Sequence, residues 1–165
     1  MITARYFVKV LKENGRIITF VESCTGGGMA NAITNIQGSS EVLKDSFVTY
    51  SNEAKVALGV PQDVIDLHSV YSQACATEMA LAGLEKSVGA NIAVGITGSF
   101  NRVDTYNPEH SHPGETHLAV AWYDDKGEIK SSACTFYANP PYSSRRDSKK
   151  RSISFALGYV LKVLS

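Results

Sequence analysis

The sequence predicts an α/β protein: a single-domain α/β/α sandwich in which helices flank a mixed, mostly parallel sheet. Two observations point there. Apolar strand-like runs alternate with segments of helical spacing through the first two thirds of the chain, and two strand-like runs around a short turn sit near the end. There is no internal repeat, low-complexity tract or linker, so residues 1–165 read as one domain, with enough chain to bury a core.

Thr3 is placed to cap a first helix, in which Phe7, Val10 and Leu11 recur at helical spacing and Asn14-Gly15 provides the stop. Ile17 to Val21 reads as the first strand. The turn Ser23–Gly28 follows, and then a helix from Met29 to Ile36 with Ala32 and Ile33 facing inward. Gly38-Ser39-Ser40 breaks that helix and caps a short one through Val42 and Leu43. Phe47 to Tyr50 reads as a second strand, and Ser51-Asn52 offers caps for a helix that carries Lys55 and stops at Gly59. Pro61 and Asp63 open a short turn. Ser72 then caps a long helix to Val88 with Cys75, Met79, Ala80 and Gly83 at helical spacing. Ala90 to Ile96 is apolar enough for a central strand, and a second glycine-bearing turn is expected at Gly95-Ile96-Thr97-Gly98-Ser99. The polar stretch Phe100–Glu115 is long for a loop in a compact domain, and such loops are more often functional than passive. Thr116–Tyr123 and Glu128–Phe136 form a strand pair in which Trp122 packs. After the loop Tyr137–Ser144, a final helix carries Ile153, Ala156, Leu157, Val160, Leu161 and Leu164 on one face.

Composition excludes several function classes. The 16 basic and 16 acidic side chains cancel, so bulk charge gives no reason to expect nucleic acid or a membrane surface as partner. No apolar run reaches the ~18 residues a spanning helix needs, and the N-terminus lacks a signal-peptide core. Cys24, Cys75 and Cys134 are odd in number and far apart, which argues against a disulfide framework or structural zinc and for the cytoplasm. A homo-oligomer is expected, because domains of this size often form symmetric assemblies.

The chemistry concentrates at Val21–Gly28. A strand that ends in hydroxyls and glycines and turns into a helix leaves backbone N–H groups unpaired, which suits an anion or an exposed nucleophile. The alternative is an ordinary strand-to-helix turn. A serine hydroxyl needs a base. His68, His110, His112 and His117 are badly placed in sequence, whereas Lys55 lies one turn into the helix after strand two. If the first two strands are parallel neighbours, Ser23 and Tyr50-Ser51 emerge at the same sheet end and Lys55 reaches back over it. A partly desolvated lysine loses its proton nearer neutrality. Taken alone, Lys55 reads equally as a solvated surface side chain.

Glu22-Ser23-Cys24-Thr25-Gly26-Gly27 followed by Phe47-Val48-Thr49-Tyr50-Ser51-Asn52-Glu53-Ala54-Lys55 resembles the CinA C-terminal domain family, which includes nicotinamide mononucleotide amidohydrolases. Gly38-Ser39-Ser40, Leu58-Gly59-Val60 and Gly95-Ile96-Thr97-Gly98 fall in the family's order. The resemblance spans nearly the whole chain and implies a stand-alone version of the domain. It makes Ser23 the nucleophile and Lys55 its base, with Tyr50 lining the site, and the substrate a small nucleotide whose carboxamide is hydrolysed to release ammonia. Thr25, Gly26, Gly27 and Gly28, or Thr97, Gly98 and Ser99, would supply the oxyanion donors and line the substrate site. No metal or organic cofactor is required.

The chain departs from the family pattern on three loops. Ser99-Phe100-Asn101-Arg102 replaces a proline- and glycine-containing continuation, and His112-Pro113-Gly114-Glu115-Thr116 replaces a Pro-Val-Gly-Thr entry to the next strand. Asn139-Pro140-Pro141-Tyr142-Ser143-Ser144-Arg145-Arg146 stands where a Gly-Asp-Arg motif is expected. With Arg151, the residues Arg145, Arg146, Lys149 and Lys150 could track nucleic-acid phosphates, a reading that the neutral whole and the lack of interleaved aromatics disfavour. Arg145, Arg146, Lys149 and Lys150 crowd a helix start, where basic residues are normally unfavourable. Either they extend into solvent and pair with acids such as Asp147, or an anion such as the substrate's 5′-phosphate neutralises them. Arg146 is preferred to Arg145 for that role. Cys24 is a competing nucleophile, since a thiolate is favoured at a helix start. His110, His112 and His117 with Glu109 and Glu115 read as a solvated polar loop in preference to a metal site. Two other functions fit the same resemblance: a catalytically silent nucleotide- or partner-binding protein, and a competence or DNA-damage factor.

Overall fold

The computed structural model describes residues 3–139 and 143–165. Helix α1 (Ala4–Glu13) begins where the Thr3 hydroxyl accepts from the Tyr6 N–H, and it buries Phe7, Val8 and Leu11. Strand β1 (Ile18–Glu22) leads into α2 (Gly28–Thr34), and a single 3-10 turn (Ser39–Glu41) precedes β2 (Phe47–Val48). Helices α3 (Asn52–Leu58), α4 (Gln62–His68) and α5 (Gln73–Lys86) come next. The hydroxyls of Ser51 and Ser72 cap α3 and α5 by accepting from Ala54 and Cys75 N–H. Strands β3 (Ile92–Gly98), β4 (Glu115–Tyr123) and β5 (Ile129–Tyr137) and the long helix α6 (Arg145–Leu164) complete the chain.

The five strands form one sheet in the order β2-β1-β3-β4-β5. β1 runs parallel to β2 and β3, whereas β4 is antiparallel to both β3 and β5. The sheet is therefore mixed as expected, but parallel and antiparallel pairings are equal in number. The expected predominance of parallel pairing is corrected, because the C-terminal hairpin adds two antiparallel contacts beside the two made by β1.

The inner strands β1, β3 and β4 are buried along most of their length because helices cover both faces. On one face Ile18, Phe20, Ile92, Val94, Ile96, Leu118 and Val120 form the main core with residues of α1, α2 and α6. The alternate positions Ala93, Ala119 and Ala121 meet Ala76, Ala80 and Leu84 of α5 on the other face. Their smallness lets α5 approach the sheet closely. A Cβ on Gly95 would lie 2.1 Å from the Ala76 carbonyl oxygen and 2.8 Å from the Ala80 nitrogen. The expectation of a turn at Gly95–Ser99 is thus corrected: Gly95 is a mid-strand glycine demanded by helix contact, and β3 runs on to Gly98. The second strand is shorter than expected: it ends at Val48, and Thr49, whose N–H still donates to the Glu22 carbonyl, gives its own carbonyl to the site described below. No helix among the described residues is long and apolar enough to cross a membrane.

Candidate active site

Because β1 and β2 are parallel neighbours, the residues that follow each strand emerge at one end of the sheet. Ser23 follows β1 there, its N–H donating to the Ile96 carbonyl at 3.1 Å. Glu22 is fully buried, and its carboxylate accepts from the N–H groups of Met29 (2.7 Å) and Ala30 (3.2 Å). It caps α2, whose own cap position, Gly27, has no side chain to do so. Between these anchors the turn passes through Gly26 (φ 58°) and Gly27 (φ 90°), left-handed conformations that favour glycine.

Lys55 reaches this turn from α3. Its Nζ lies 3.1 Å from Ser23 Oγ and donates to the Thr49 carbonyl at 2.8 Å. The lysine is 2% exposed and the serine 8%, and no carboxylate lies within 4 Å of the amine among the described residues. Lys55 is thus not a solvated surface lysine. Burial lowers its pKa from the ordinary lysine range, while the neighbouring Cys75 and Cys24 thiols act in the opposite sense. In the ammonium form it donates to Ser23 Oγ; once neutral, it can accept the serine proton instead.

Cys24 is buried beside this pair, and burial pushes its thiol up to about 12, with Lys55 and Arg145 pulling weakly downward. The expectation that the helix start favours a thiolate is corrected: desolvation outweighs the local dipole. Cys75, also buried and near enough to feel the Lys55 charge, is pushed up to about 11 for the same reason.

The turn offers hydrogen-bond donors selectively. The N–H groups of Gly26 and Gly28 are spent on the carbonyls of Ser23 and Thr25. Those of Cys24, Thr25 and Gly27 make no bond to another backbone group among the described residues. Thr25 Oγ1 is buried without a partner. The second predicted donor group is differently employed. Thr97 Oγ1 donates to the Val70 carbonyl, Ser99 Oγ donates to the Arg102 carbonyl, and Gly98 is pressed against Glu115 and Thr116 of β4. Thr97 thereby ties β3 to the segment before α5, and Ser99 ties it to the long loop.

Around the mouth, Tyr50 is 64% exposed and its hydroxyl accepts from Arg145 Nη2 at 3.0 Å. The Arg145 guanidinium also lies over the Phe100 ring, 5.5 Å from its centroid. Lys149, one turn further along α6, comes within 3.3 Å of where a Cβ on Gly26 would stand. The structure therefore brings Arg145 and Lys149 to the serine turn. No described contact draws Arg146 there, so the arginine that the helix turns toward the serine is Arg145 and not the expected Arg146. Asp147 does not pair with the cluster within 4 Å; it forms a capping box with Ser144. Of the segment that departs from the Gly-Asp-Arg pattern, residues 140–142 lie outside the described residues.

Sequence reasoning placed Lys149 in the basic cluster without separating it from its neighbours, and it missed Glu22 as the cap of α2 and the strut that holds the long loop. In that strut Tyr71 OH donates to Asp104 Oδ2 at 2.6 Å and Asn107 Nδ2 donates to Ser69 Oγ at 2.7 Å. The i, i+4 spacing of Arg145 and Lys149 was a usable signal; the other two depend on tertiary contacts. The histidine cluster is not assembled as a metal site. His117 bonds Thr135 Oγ1 and lies 3.1 Å from Glu115, burial lowering its pKa against that carboxylate. Among the described residues no group of three or more His, Cys, Asp or Glu is arranged to hold a metal ion.

Comparison with known proteins gives the family of the chain. The profile of the CinA C-terminal domain matches residues 2–164. A CinA-like protein of Chloroherpeton thalassium is 50% identical over 91 residues, which is 54% of this chain and 21% of that protein. The nicotinamide-nucleotide amidohydrolase PncC of Escherichia coli is 44% identical over 91 residues, 54% of each chain. The matches thus span about a fifth to about half the length of these curated relatives. Among solved structures, the competence/damage inducible protein CihA of Agrobacterium tumefaciens superposes with a TM-score of 0.82 at 29% identity, covering 98% of this chain and 93% of its own.

Proposed function

The chain belongs to the CinA C-terminal domain family, and on that premise we propose that it is an amidohydrolase that converts nicotinamide mononucleotide to nicotinate mononucleotide and ammonia. One observation carries the reading: a buried lysine amine, free of any carboxylate within 4 Å among the described residues, held 3.1 Å from a serine hydroxyl at the end of a strand. The name of the E. coli relative adds the substrate class.

In this reading the neutral Lys55 amine takes the Ser23 proton as Oγ attacks the carboxamide carbon. The tetrahedral intermediate carries its negative charge on the former carbonyl oxygen. The free N–H groups of Cys24, Thr25 and Gly27 are the candidates to stabilise it, one such donor being worth about 3–4 kcal/mol in a transition state. Lys55 passes its proton to the departing nitrogen, the C–N bond breaks, and ammonia leaves an ester on Ser23. Water, deprotonated by the same amine, then attacks that ester; nicotinate mononucleotide departs and Ser23 recovers its proton. The Thr49 carbonyl keeps the amine aimed throughout.

In the same reading Arg145 and Lys149 take the 5′-phosphate, which would answer the crowding of positive charge at the start of α6. Tyr50, exposed at the mouth, offers an aromatic face to the cationic pyridinium ring. The test is ammonia release from nicotinamide mononucleotide by the purified protein, with Ser23→Ala as control. Release by the parent and none by the variant is expected. Absence of release from pH 6 to 10, or release that survives Ser23→Ala, overturns the proposal.

A further inference from the structure

A large cavity among the described residues lies away from Ser23, on another face of α6. It is a groove of about 1060 Å³ between α6 and β5. Its floor is aromatic: the rings of Phe136 and Phe155 stack at 4.0 Å, and Tyr159 continues the row 6.4 Å from Phe155. Its rim is basic. Lys150, Arg151 and Lys162 line it, and none has a carboxylate within 4 Å among the described residues. The lining's single acid, Asp147, is held by Ser144.

The groove runs beside a free sheet edge. β5 is the terminal strand, bonded to β4 alone. The bond from Asp124 N–H to the Glu128 carbonyl sets the alternation of the hairpin. The even-numbered residues from Lys130 to Phe136 bond β4, and Ile129, Ser131, Ala133, Thr135 and Tyr137 turn their N–H and C=O groups outward. From Asp147 to Lys162, α6 flanks the groove for about 22 Å. That length suits an extended segment of about six or seven residues and exceeds a mononucleotide.

We propose that this edge is a docking site for an acidic, extended peptide segment of a partner protein. The segment adds a strand to β5 and lays alternate apolar side chains on the Phe136–Phe155–Tyr159 floor. Its carboxylates meet Lys150, Arg151 and Lys162. Charge selects this occupant over a second copy of the chain, because a two-fold pairing through β5 brings two basic rims together. The proposal is independent of the reaction at Ser23.

The test is fluorescence anisotropy with a labelled synthetic nonapeptide that alternates glutamate with leucine and phenylalanine, beside a counterpart with lysine for glutamate. The acidic peptide should bind, at least tenfold more tightly than the basic one and more weakly as salt rises. Ser131→Pro removes one outward N–H without touching the β4 ladder, and Lys162→Glu reverses one rim charge on an exposed side chain. Each should weaken the acidic peptide about tenfold or more, with the helix signal in circular dichroism retained. The proposal is overturned if the peptides bind alike, if neither binds, or if Lys162→Glu leaves affinity unchanged. A dimer in sedimentation that dissociates on Ser131→Pro overturns it in favour of self-association.

Discussion

Replacing Lys55 with methionine separates what this side chain does for the reaction from what it does to the fold. Methionine keeps an unbranched apolar stem and deletes the amine, which is 2% exposed and bonded to Thr49 and Ser23. Two effects of opposite sign follow. The Thr49 carbonyl loses its partner, at about 1–3 kcal/mol for a buried acceptor. A group whose pKa is lowered by burial is also removed, and each unit of such lowering is about 1.4 kcal/mol of instability while the group is charged. The unfolded chain holds the lysine proton up to about pH 10.4, whereas the folded protein releases it earlier. Between the two values the unfolded state binds more protons, so wild-type stability rises with pH across that window. The penalty is complete below the folded pKa and gone above the unfolded one. The variant should therefore be about 1–3 kcal/mol less stable than wild type near pH 10.5, with the gap shrinking or reversing by pH 6. Urea unfolding at pH 6, 8 and 10.5 measures this, and ammonia release should fall about a thousandfold or more at every pH. A stability difference that stays constant from pH 6 to 10.5 refutes the claim that Lys55 is held below its ordinary pKa, and with it the neutral base.

The other expectations are simpler to read. In the parent protein kcat should rise with pH through a midpoint below about 10.4, since the proposed base must be neutral; a flat profile with chemistry rate-limiting contradicts this. Ser23→Ala should end turnover and leave the melting temperature almost unchanged, while Cys24→Ala retains most activity because its thiol, pushed up to about 12, is not a thiolate at neutral pH. Arg145→Ala should lower kcat/KM on nicotinamide mononucleotide about ten- to hundredfold and scarcely affect the phosphate-free riboside, with Arg146→Ala near neutral on both. Equal losses on the two substrates would assign Arg145 to the fold. Gly95→Ala places a methyl 2.1 Å from the Ala76 carbonyl and should destabilise by about 3 kcal/mol or more, read by urea unfolding.

Much of the fold is legible locally because its boundaries are set by short-range hydrogen bonds. Thr3, Ser51 and Ser72 each cap the helix their sequence context suggests. Ser23 and Lys55 could be paired in advance because two parallel strands deliver their loops to one end. Gly95 was misread because its reason is the backbone of α5, which no neighbour in sequence announces. Arg145 and Arg146 are adjacent, and only the phase of α6 against the Ser23 turn distinguishes them. The edge position of β5, and hence the groove beside it, is a property of strand order rather than of any segment.

The two faces of the sheet follow opposite rules for inherited change. Positions facing α1, α2 and α6 carry large side chains such as Phe20 and Ile96, so loss of volume is what harms them. Positions facing α5 carry Ala93, Gly95, Ala119 and Ala121, where gain of volume is what harms. Neighbouring codons within one strand are thus under contrary constraint. A library that samples every apolar substitution should show the alternation along β3 and β4: truncation penalised at Val94, Ile96, Leu118 and Val120, and enlargement penalised at Ala93, Gly95, Ala119 and Ala121.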